Sequence, residues 1–145
     1  MKESELTSEQ KKQIDLALKM TTELWDWLEE SGSENKKDWP GWDNYADVMD
    51  KNTVPYSCPL CEMTRRIVGS DGTPQISRCS ICPYNRCYGF CNNPATPYTR
   101  WTMAFSDDDR KFYAGMFLEQ LVAIRSGDAT LAYSLRTGEA EYLRR

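Results

Sequence analysis

The stretch YSCPLCEMTRRIVGSDGTPQISRCSICPYNRCYGFC, residues 56–91, contains all six cysteines of the 145-residue chain. Cys58 and Cys61 form one C-x2-C pair, and Cys79 and Cys82 form a second. Two such pairs, about 15–20 residues apart, are typical of a structural zinc site. Zinc bound by four thiolates is tetrahedral, with each sulfur about 2.3 Å from the ion. The spacing therefore predicts one structural Zn²⁺ on these four cysteines.

The residues between the two pairs predict the fold of this region. Residues 62–68 and 73–78 have the composition of short strands on either side of a glycine-containing turn. Two strands closed by two C-x2-C turns make a zinc ribbon. With the helices described below, the expected fold class is α+β, mainly α: two amphipathic helices packed with a small zinc-ribbon or zinc-knuckle segment.

Two further cysteines, Cys87 and Cys91, leave the ligand set open. Either one could replace Cys79 or Cys82, or both could be inert buried thiols, since free cysteine packs as a small hydrophobe. A second site that shares ligands is a further alternative. An iron–sulfur cluster needs four thiolates, but the spacing is not that of a common ferredoxin. A thioredoxin-like redox motif needs a βαβ context that is not visible in the sequence.

Two amphipathic helices flank the cysteine-rich segment. Thr7 and Gln10 have capping-box spacing and start a helix at residues 8–31, whose apolar residues recur on one helical face. Ser106 is a good N-cap for a second helix at residues 106–126, and three aspartates follow it at the positive end of the helix dipole. Those aspartates are consecutive and point around the helix, so they do not form one metal site.

The chain length fits one domain, residues 1–145, in which residues 55–101 form the cysteine-rich zinc-binding segment. A linker with Trp39, Pro40, Gly41 and Trp42 precedes that segment. We expect the two tryptophans to clamp this loop onto the domain because each ring buries a large area. Residues 136–145 are expected to form a flexible tail.

Composition excludes several function classes. The chain has no histidine, which rules out Ser-His-Asp and Cys-His catalytic sites and histidine-bearing zinc sites within it. The net charge is −4, which disfavours broad coating of nucleic acid. The sequence has no apolar run typical of a secretion signal or a membrane span. We therefore expect a cytoplasmic protein without membrane partners, in a compartment where clustered cysteines bind metal more often than they form disulfides.

The order of several motifs resembles a family of small uncharacterised cysteine-rich, zinc-ribbon-like bacteriophage and prophage proteins. The matching pieces are Leu24–Leu28, Trp39–Trp42, Cys58–Glu62, Cys79–Pro83, Pro97–Trp101 and the helix from Arg110. The resemblance implies a phage origin, the host cytoplasm as location, a zinc-stapled α-rich fold and a partner that is an unknown host or phage protein. The family carries no activity to transfer. The chain departs from the family pattern in having two late cysteines, Cys87 and Cys91, where the pattern has one.

These observations predict a non-enzymatic protein-interaction module without a small-molecule substrate. Aromatic and arginine side chains are enriched at binding hot spots, and the candidates for the interaction surface are Arg65, Arg66, Tyr84, Arg86, Tyr88 and Phe90. The alternative is a zinc-ribbon protein that binds nucleic acid or regulates transcription, because arginines interleaved with aromatics suit single strands. An enzyme would need a reactive Cys87 or Cys91.

Overall fold

Helices dominate the computed structural model, which describes residues 5–53, 58–69 and 79–127. The α-helices are α1 (Ser8–Ser31), α2 (Pro59–Val68), α3 (Pro83–Tyr88), α4 (Pro97–Thr102) and α5 (Asp107–Ser126). Short 3₁₀ helices lie at Lys36–Asp38, Pro40–Tyr45 and Lys51–Thr53. Across these described ranges, no helix is both long enough and apolar enough to cross a membrane.

The predicted α+β class with a zinc ribbon is wrong, because the described ranges contain helices and no strand. Residues 62–68, predicted as a strand, lie in α2. This helix begins with Pro59 at its first position, where proline is favoured. Glu62 then pairs with Arg65 and Arg66 on the following turn, a spacing that only a helix brings together. The second predicted strand, 73–78, and the predicted tail, 136–145, lie outside the described residues.

Helix α1 occupies the range that the sequence predicts, because both of its ends are specified locally. The Thr7 side chain accepts a hydrogen bond from the Gln10 amide at 3.1 Å, and the Thr7 amide donates to Gln10 Oε1 at 2.9 Å. At the other end, Gly32 has φ +69° and donates its N–H to the carbonyl of Leu28. A left-handed glycine is the usual way to end a helix.

The core lies where α1 packs against α5, α4 and α2. Helix α5 begins at Ser106, whose hydroxyl accepts from the Asp109 amide at 3.1 Å. Trp25 of α1 is fully buried, and its ring centroid lies 4.6 Å from Phe117 of α5 and 4.9 Å from Trp101 of α4. Both contacts are edge-to-face, the arrangement that aromatic quadrupoles favour. The aromatic rings therefore hold the helices together.

The predicted tryptophan clamp is confirmed. Trp39 and Trp42 are buried, and their rings meet edge-to-face at 5.1 Å. Trp42 Nε1 also donates to the carbonyl of Lys36 at 2.9 Å, which ties the loop to the preceding 3₁₀ turn. Gly41 is required between the two rings, since a Cβ there would lie 2.1 Å from the Trp39 ring.

Candidate metal centre

Helices α1 and α2 together position the first cysteine pair. Cys58 is the N-cap of α2, and Cys61 lies one turn further on. The Leu60 amide, between them, donates to Thr21 Oγ1 of α1 at 3.1 Å. Thr21 Oγ1 in turn donates to the carbonyl of Ala17 at 2.7 Å. This buried hydroxyl therefore fixes the start of α2, and both of its thiols, against α1.

The second pair is held by a turn that leads into α3. Cys82 is the N-cap of α3, and its amide donates to the carbonyl of Cys79 at 3.2 Å. Asn85 Nδ2 donates to the same carbonyl at 2.9 Å. Ile81, between the two cysteines, is 1% exposed and anchors the turn in the core. Each pair therefore starts a helix, with a proline directly after the N-cap cysteine.

Cys91 approaches from the turn after α3. The Thr96 hydroxyl donates to the carbonyls of Cys91 and Asn93, the second at 2.9 Å. Thr96 is itself buried and is the N-cap of α4. Cys91 packs against the same apolar core that contains Cys58. The later chain thus brings a fifth thiol to the two pairs.

Four other cysteines contribute to the electrostatic environment of Cys91. Burial raises the pKa of the Cys91 thiol, and the negative charges of four other thiolates raise it further. Those four belong to Cys58, Cys82, Cys61 and Cys79, a set that does not include Cys87. We call these five residues the thiol cluster: Cys58, Cys61, Cys79, Cys82 and Cys91.

Burial also governs Cys82. It raises the pKa of the Cys82 thiol to about 12. Hydrogen bonds from the backbone amides of Asn85 and Tyr84 have the opposite, smaller effect on this pKa. The thiolates of Cys58 and Cys79 contribute in the same direction as burial. A buried group of neighbouring thiols favours its neutral form unless a cation compensates the charge.

The thiol cluster has suitable donors for zinc but is not a preassembled coordination site. All six cysteines lie within the described ranges, and none of them forms a disulfide. Among the described residues, no group of three or more cysteine or carboxylate side chains is arranged to hold a metal ion. The residue types nevertheless suit zinc, since cysteine sulfur is the soft ligand that closed structural zinc sites use.

Lys36 and Tyr98, which the sequence analysis did not single out, form a buried pair. Lys36 is 6% exposed, and its Nζ donates to the hydroxyl of Tyr98 at 3.4 Å. Burial raises the pKa of Tyr98, as do the thiolates of Cys58, Cys91 and Cys61. In the sequence, Lys36 stands in a polar linker and carries no signal of burial. Only the fold reveals this neighbourhood.

The aromatic candidates for the interaction surface are largely packed inside. Tyr84 is 2% exposed, its hydroxyl donates to Gln120 Oε1 at 2.6 Å, and its ring lies 5.0 Å from that of Phe117. Tyr88 and Phe90 are half-buried, and Tyr88 contacts the ring of Tyr84 at 5.1 Å. Tyr84 therefore joins α3 to α5 and does not face a partner.

Two of the three arginine candidates are engaged by one carboxylate. Arg65 and Arg66 bind Glu62 at 2.6 and 3.0 Å, and Arg66 also donates to the carbonyl of Val48 at 2.8 Å. Burial raises the pKa of Glu62, but these hydrogen bonds outweigh it and the net pKa is lowered. Glu62 thus stays ionised and compensates part of the arginine charge. The third candidate, Arg86, is exposed.

Exposed apolar side chains occur near the start of α5, where the sequence analysis placed no surface. Phe105 is 98% exposed and Met103 is 69% exposed. Phe112 and Val122 of α5 are also exposed. A sequence signal exists for Phe105, since it directly precedes the N-cap Ser106 and so lies outside the amphipathic pattern of the helix.

Comparison with known proteins does not assign the chain to a family. Searches against protein-family models, curated proteins and solved structures give no significant match. The resemblance to bacteriophage proteins therefore stays a prediction. The function proposed below is argued from the side chains of the chain itself.

Proposed function

We propose that the thiol cluster binds one structural zinc ion and that the metal-stapled helical fold acts as a protein-interaction module. The observations that support this proposal are the two C-x2-C pairs, each at the start of a helix, and the packing of Cys58, Cys61, Cys82 and Cys91 on one apolar core. Buried thiols without a partner gain little from such crowding, since each thiolate disfavours ionisation of the others. A divalent cation reverses the sign of that interaction.

Four of the five thiols would complete the coordination shell. Cys58, Cys61, Cys79 and Cys82 remain the predicted ligands. Of the two predicted substitutes, Cys87 and Cys91, we favour Cys91, which packs on the same core as Cys58. Zinc is the preferred ion, because an all-sulfur tetrahedral site suits it and the chain offers no histidine. Each cysteine pair would then bind zinc at the start of a helix, and not in the turn of a zinc ribbon.

The proposed role of the metal is structural. A zinc ion with four thiolate ligands has no open position for water or substrate. It would link α2 to α3 and to the turn before α4. The free energy of structural zinc binding, ~10–16 kcal/mol, is larger than the free energy of unfolding of many domains, which is about 5 kcal/mol. We therefore infer that the protein is non-enzymatic and needs the metal to hold its middle segment.

The proposed interaction surface is apolar. Met103 and Phe105, which flank Ala104 between α4 and α5, are both exposed. Exposed large hydrophobic side chains in a group favour a binding role, and methionine adapts readily to a partner surface. The partner class is a protein, as a host or phage protein would be if the resemblance to phage proteins holds.

Nucleic-acid binding is less well supported. It would depend on arginines that neutralise phosphates, yet Arg65 and Arg66 share the carboxylate of Glu62. A tetrathiolate zinc site also adds net negative charge next to them. Arg66 and Arg86 are the exposed candidate arginines, and Arg66 is held by Glu62 and by the carbonyl of Val48. These contacts leave little positive charge for a strand to use.

Cobalt substitution tests the metal part of the proposal. Co²⁺ added to the reduced, metal-free full chain should give the intense thiolate-to-cobalt absorption of a tetrahedral sulfur site at one equivalent, and Zn²⁺ should displace it. Absence of this absorption would refute the proposed site. A cluster of iron and sulfide would instead appear as a coloured protein before any metal is added.

A surface variant tests the interaction part. Tagged wild-type protein and the double variant Met103→Ser/Phe105→Ser are each incubated with bacterial lysate, and the captured proteins are compared. The variant should keep its fold, because both side chains are exposed, and lose the specific partner. Val122→Ser, an exposed apolar change on α5, serves as the matched control. Capture of identical proteins by all three chains would contradict the proposed surface.

A further inference from the structure

A groove on the surface of the helical core has no role in the function proposed above. Its volume is about 510 Å³, which falls within the range of roughly 300–1,000 Å³ that is typical of small-molecule sites. Residues from α1, from the turn into α3 and from the last turn of α5 line it, and all of them are described. The groove is therefore formed by elements that the fold holds together.

The floor of the groove is aliphatic. Ile14 and Leu18 of α1 are each 6% exposed, and Ile81, before α3, is 1% exposed. Leu6 is also buried, and Ile124 of α5 is half-buried. All five side chains belong to the hydrophobic core or pack against it. An aliphatic chain on this floor would leave water, which is favourable in proportion to the apolar area removed.

Exposed charges surround the floor, and most of them are positive. Four basic side chains and one carboxylate line the groove, although the net charge of the whole chain is −4. They are Lys11, Lys19, Arg86, Arg125 and Asp15. A cleft with low-polarity walls and charges of one sign concentrates ions of the opposite sign. The groove therefore favours an anion.

Most of this positive charge is not compensated within the protein. Lys11 and Lys19 lie one helical turn on either side of Asp15, yet neither lysine forms an ion pair with Asp15 or with any other described residue. Arg125 likewise has no ion pair within the described ranges. These three cations can therefore interact with a bound anion.

A second hollow, beside the tryptophan clamp, has the opposite balance of charge. Its volume is about 460 Å³, and three aspartates and two lysines line it. The excess of positive charge is thus a property of the groove and not of every concave surface on this acidic chain.

The lining also discriminates among anions. A small ion such as phosphate would leave the aliphatic floor unused. Single-stranded nucleic acid binds through aromatic rings on which its bases stack, and the lining of the groove, which lies wholly within the described ranges, contains no aromatic residue. A molecule with an aliphatic chain and one anionic head group would use both the floor and the charged rim.

We propose that the groove binds an aliphatic monocarboxylate of the fatty-acid class. The aliphatic chain lies on the floor formed by Ile14, Leu18 and Ile81, and the carboxylate lies at the basic rim. This site uses none of the cysteines and neither Met103 nor Phe105. It is therefore independent of the zinc site and of the apolar surface proposed above.

Methyl NMR of the full chain, labelled at isoleucine, tests the proposal with decanoate as the probe. Ile14, Ile81 and Ile124 line the groove, whereas Ile67 of α2 does not. Decanoate below its micelle concentration should shift the first three signals in a saturable way and leave the Ile67 signal in place. No saturable shift, or an equal shift of the Ile67 signal, would overturn the proposal.

Two control compounds separate the contribution of the chain from that of the head group. Acetate has the same head group without the aliphatic chain, and decyltrimethylammonium has an aliphatic chain of the same length with the opposite charge. Both should bind much more weakly than decanoate. If either compound shifted the groove signals with the affinity of decanoate, the proposed ligand class would be wrong.

A double variant tests the basic rim. Lys11→Gln/Lys19→Gln changes two exposed positions of α1 to another good helix former, so the fold should be kept. We expect decanoate to bind about 3–10-fold more weakly, the effect expected for the loss of two exposed charge interactions. The difference from wild type should shrink at high salt, which screens exposed charges.

Lys12→Gln/Lys37→Gln is the matched control, because these two lysines are also exposed and do not line the groove. It should bind decanoate with wild-type affinity. Wild-type affinity in Lys11→Gln/Lys19→Gln, or an equal loss in both double variants, would refute the role of the rim in binding the carboxylate.

Discussion

The aromatic core around Trp25 and the thiol cluster are adjacent but are stabilised in different ways. Trp25 is 0% exposed and contacts Tyr98, Trp101 and Phe117 within 6 Å. These rings gain free energy simply by leaving water. The cysteines also lie against this core, yet each thiolate charge raises the pKa of Cys91. One region is a packed apolar core, and the other is where we propose that a cation binds.

This contrast predicts which substitutions should lower the free energy of unfolding only when metal is bound. Changes in the aromatic core should lower stability with or without a chelator. Changes in the thiol cluster should lower it only in the metal-bound protein. Lys36 donates to Tyr98 of the aromatic core, and Thr21 joins α1 to the start of α2, where the first cysteine pair lies. The four expectations below follow that division, beginning with the largest effect.

Cys58→Ser should have the largest effect. Cys58 is a predicted zinc ligand, is the N-cap of α2 and is the one cysteine of the six that is buried. Its loss should remove most of the ~10–16 kcal/mol of structural zinc binding and the dispersion of middle-segment amide signals in NMR spectra. A zinc titration followed by NMR checks both.

Cys87→Ser is the matched control for that change. Cys87 is half-buried in α3 but is not among the thiols that act on Cys91. We expect zinc affinity to stay within about threefold of wild type, well below the 10–100-fold that a metal-site partner costs. Equal losses in the Cys58 and Cys87 variants would show that the cluster is assigned incorrectly.

Trp25→Ala should lower the free energy of unfolding by about 3–5 kcal/mol, the usual cost of deleting a large aromatic side chain from a core. Urea denaturation with and without chelator should show the same loss. Trp25→Phe should cost much less, since the buried Trp25 indole N–H has no hydrogen-bond partner in the described part of the chain. If Trp25→Ala lowered the free energy of unfolding only in the zinc-bound protein, the proposed difference between the two regions would be contradicted.

Thr21→Val tests the link between the regions. The change keeps the shape of the side chain but removes the oxygen that accepts from the Leu60 amide. A buried donor left without a partner costs about 1–3 kcal/mol, and the start of α2 should loosen, which weakens zinc binding as well. Calorimetry of the metal-free protein and a zinc titration measure the two effects.

Thr22→Val is the comparison for Thr21. Thr22 is also buried and donates to a helix carbonyl, that of Leu18 at 2.7 Å. Replacement should cost less than Thr21→Val and leave zinc affinity unchanged, because the carbonyl keeps its place in the helix. If Thr22→Val weakened zinc binding as much as Thr21→Val, the anchoring of α2 by Thr21 would be refuted.

Glu29→Gln should have the smallest effect and the opposite sign. Burial raises the pKa of Glu29, and the carboxylates of Asp26, Glu119 and Glu30 raise it further. The protonated form is thus favoured on folding, so its contribution is present at acid pH and is lost as the pH rises through the folded pKa. Gln should raise stability by about 0.5 kcal/mol at pH 7, where a charge near a helix C-terminus is unfavourable, and have no effect near pH 3.

The first turn of α1 provides the control for Glu29. Glu9 lies there, at the end of the helix where an acid is favourable. Glu9→Gln should lower stability slightly at pH 7. Thermal melts at the two pH values would compare both variants, and a stabilising Glu9→Gln together with a destabilising Glu29→Gln would contradict the electrostatic argument.

Local signals in the sequence account for the helix ends but not for the thiol cluster. Thr7 with Gln10 and Ser106 with its aspartates specify their helices through neighbouring residues. The strand prediction for residues 62–68 failed because a short mixed run has no decisive periodicity. Cys58–Pro59 and Cys82–Pro83 carried the missing signal, since proline after an N-cap residue favours the start of a helix.

The rest of the candidate site depends on contacts between residues that are far apart in the chain. Lys36 and Tyr98 are 62 positions apart, and nothing near either residue predicts their contact. The approach of Cys91, and not Cys87, to the two cysteine pairs likewise follows from the turn that Thr96 holds. The sequence predicts cysteine ligands from their spacing, whereas their neighbours follow only from packing.

Native mass spectrometry of the full chain, purified without chelator and compared with the same sample under denaturing conditions, tests the zinc site most directly. The account predicts one zinc ion per folded chain, and a denatured mass equal to that of six reduced cysteines. A native mass without metal, or a denatured mass that lacks the hydrogens of paired thiols, would contradict it.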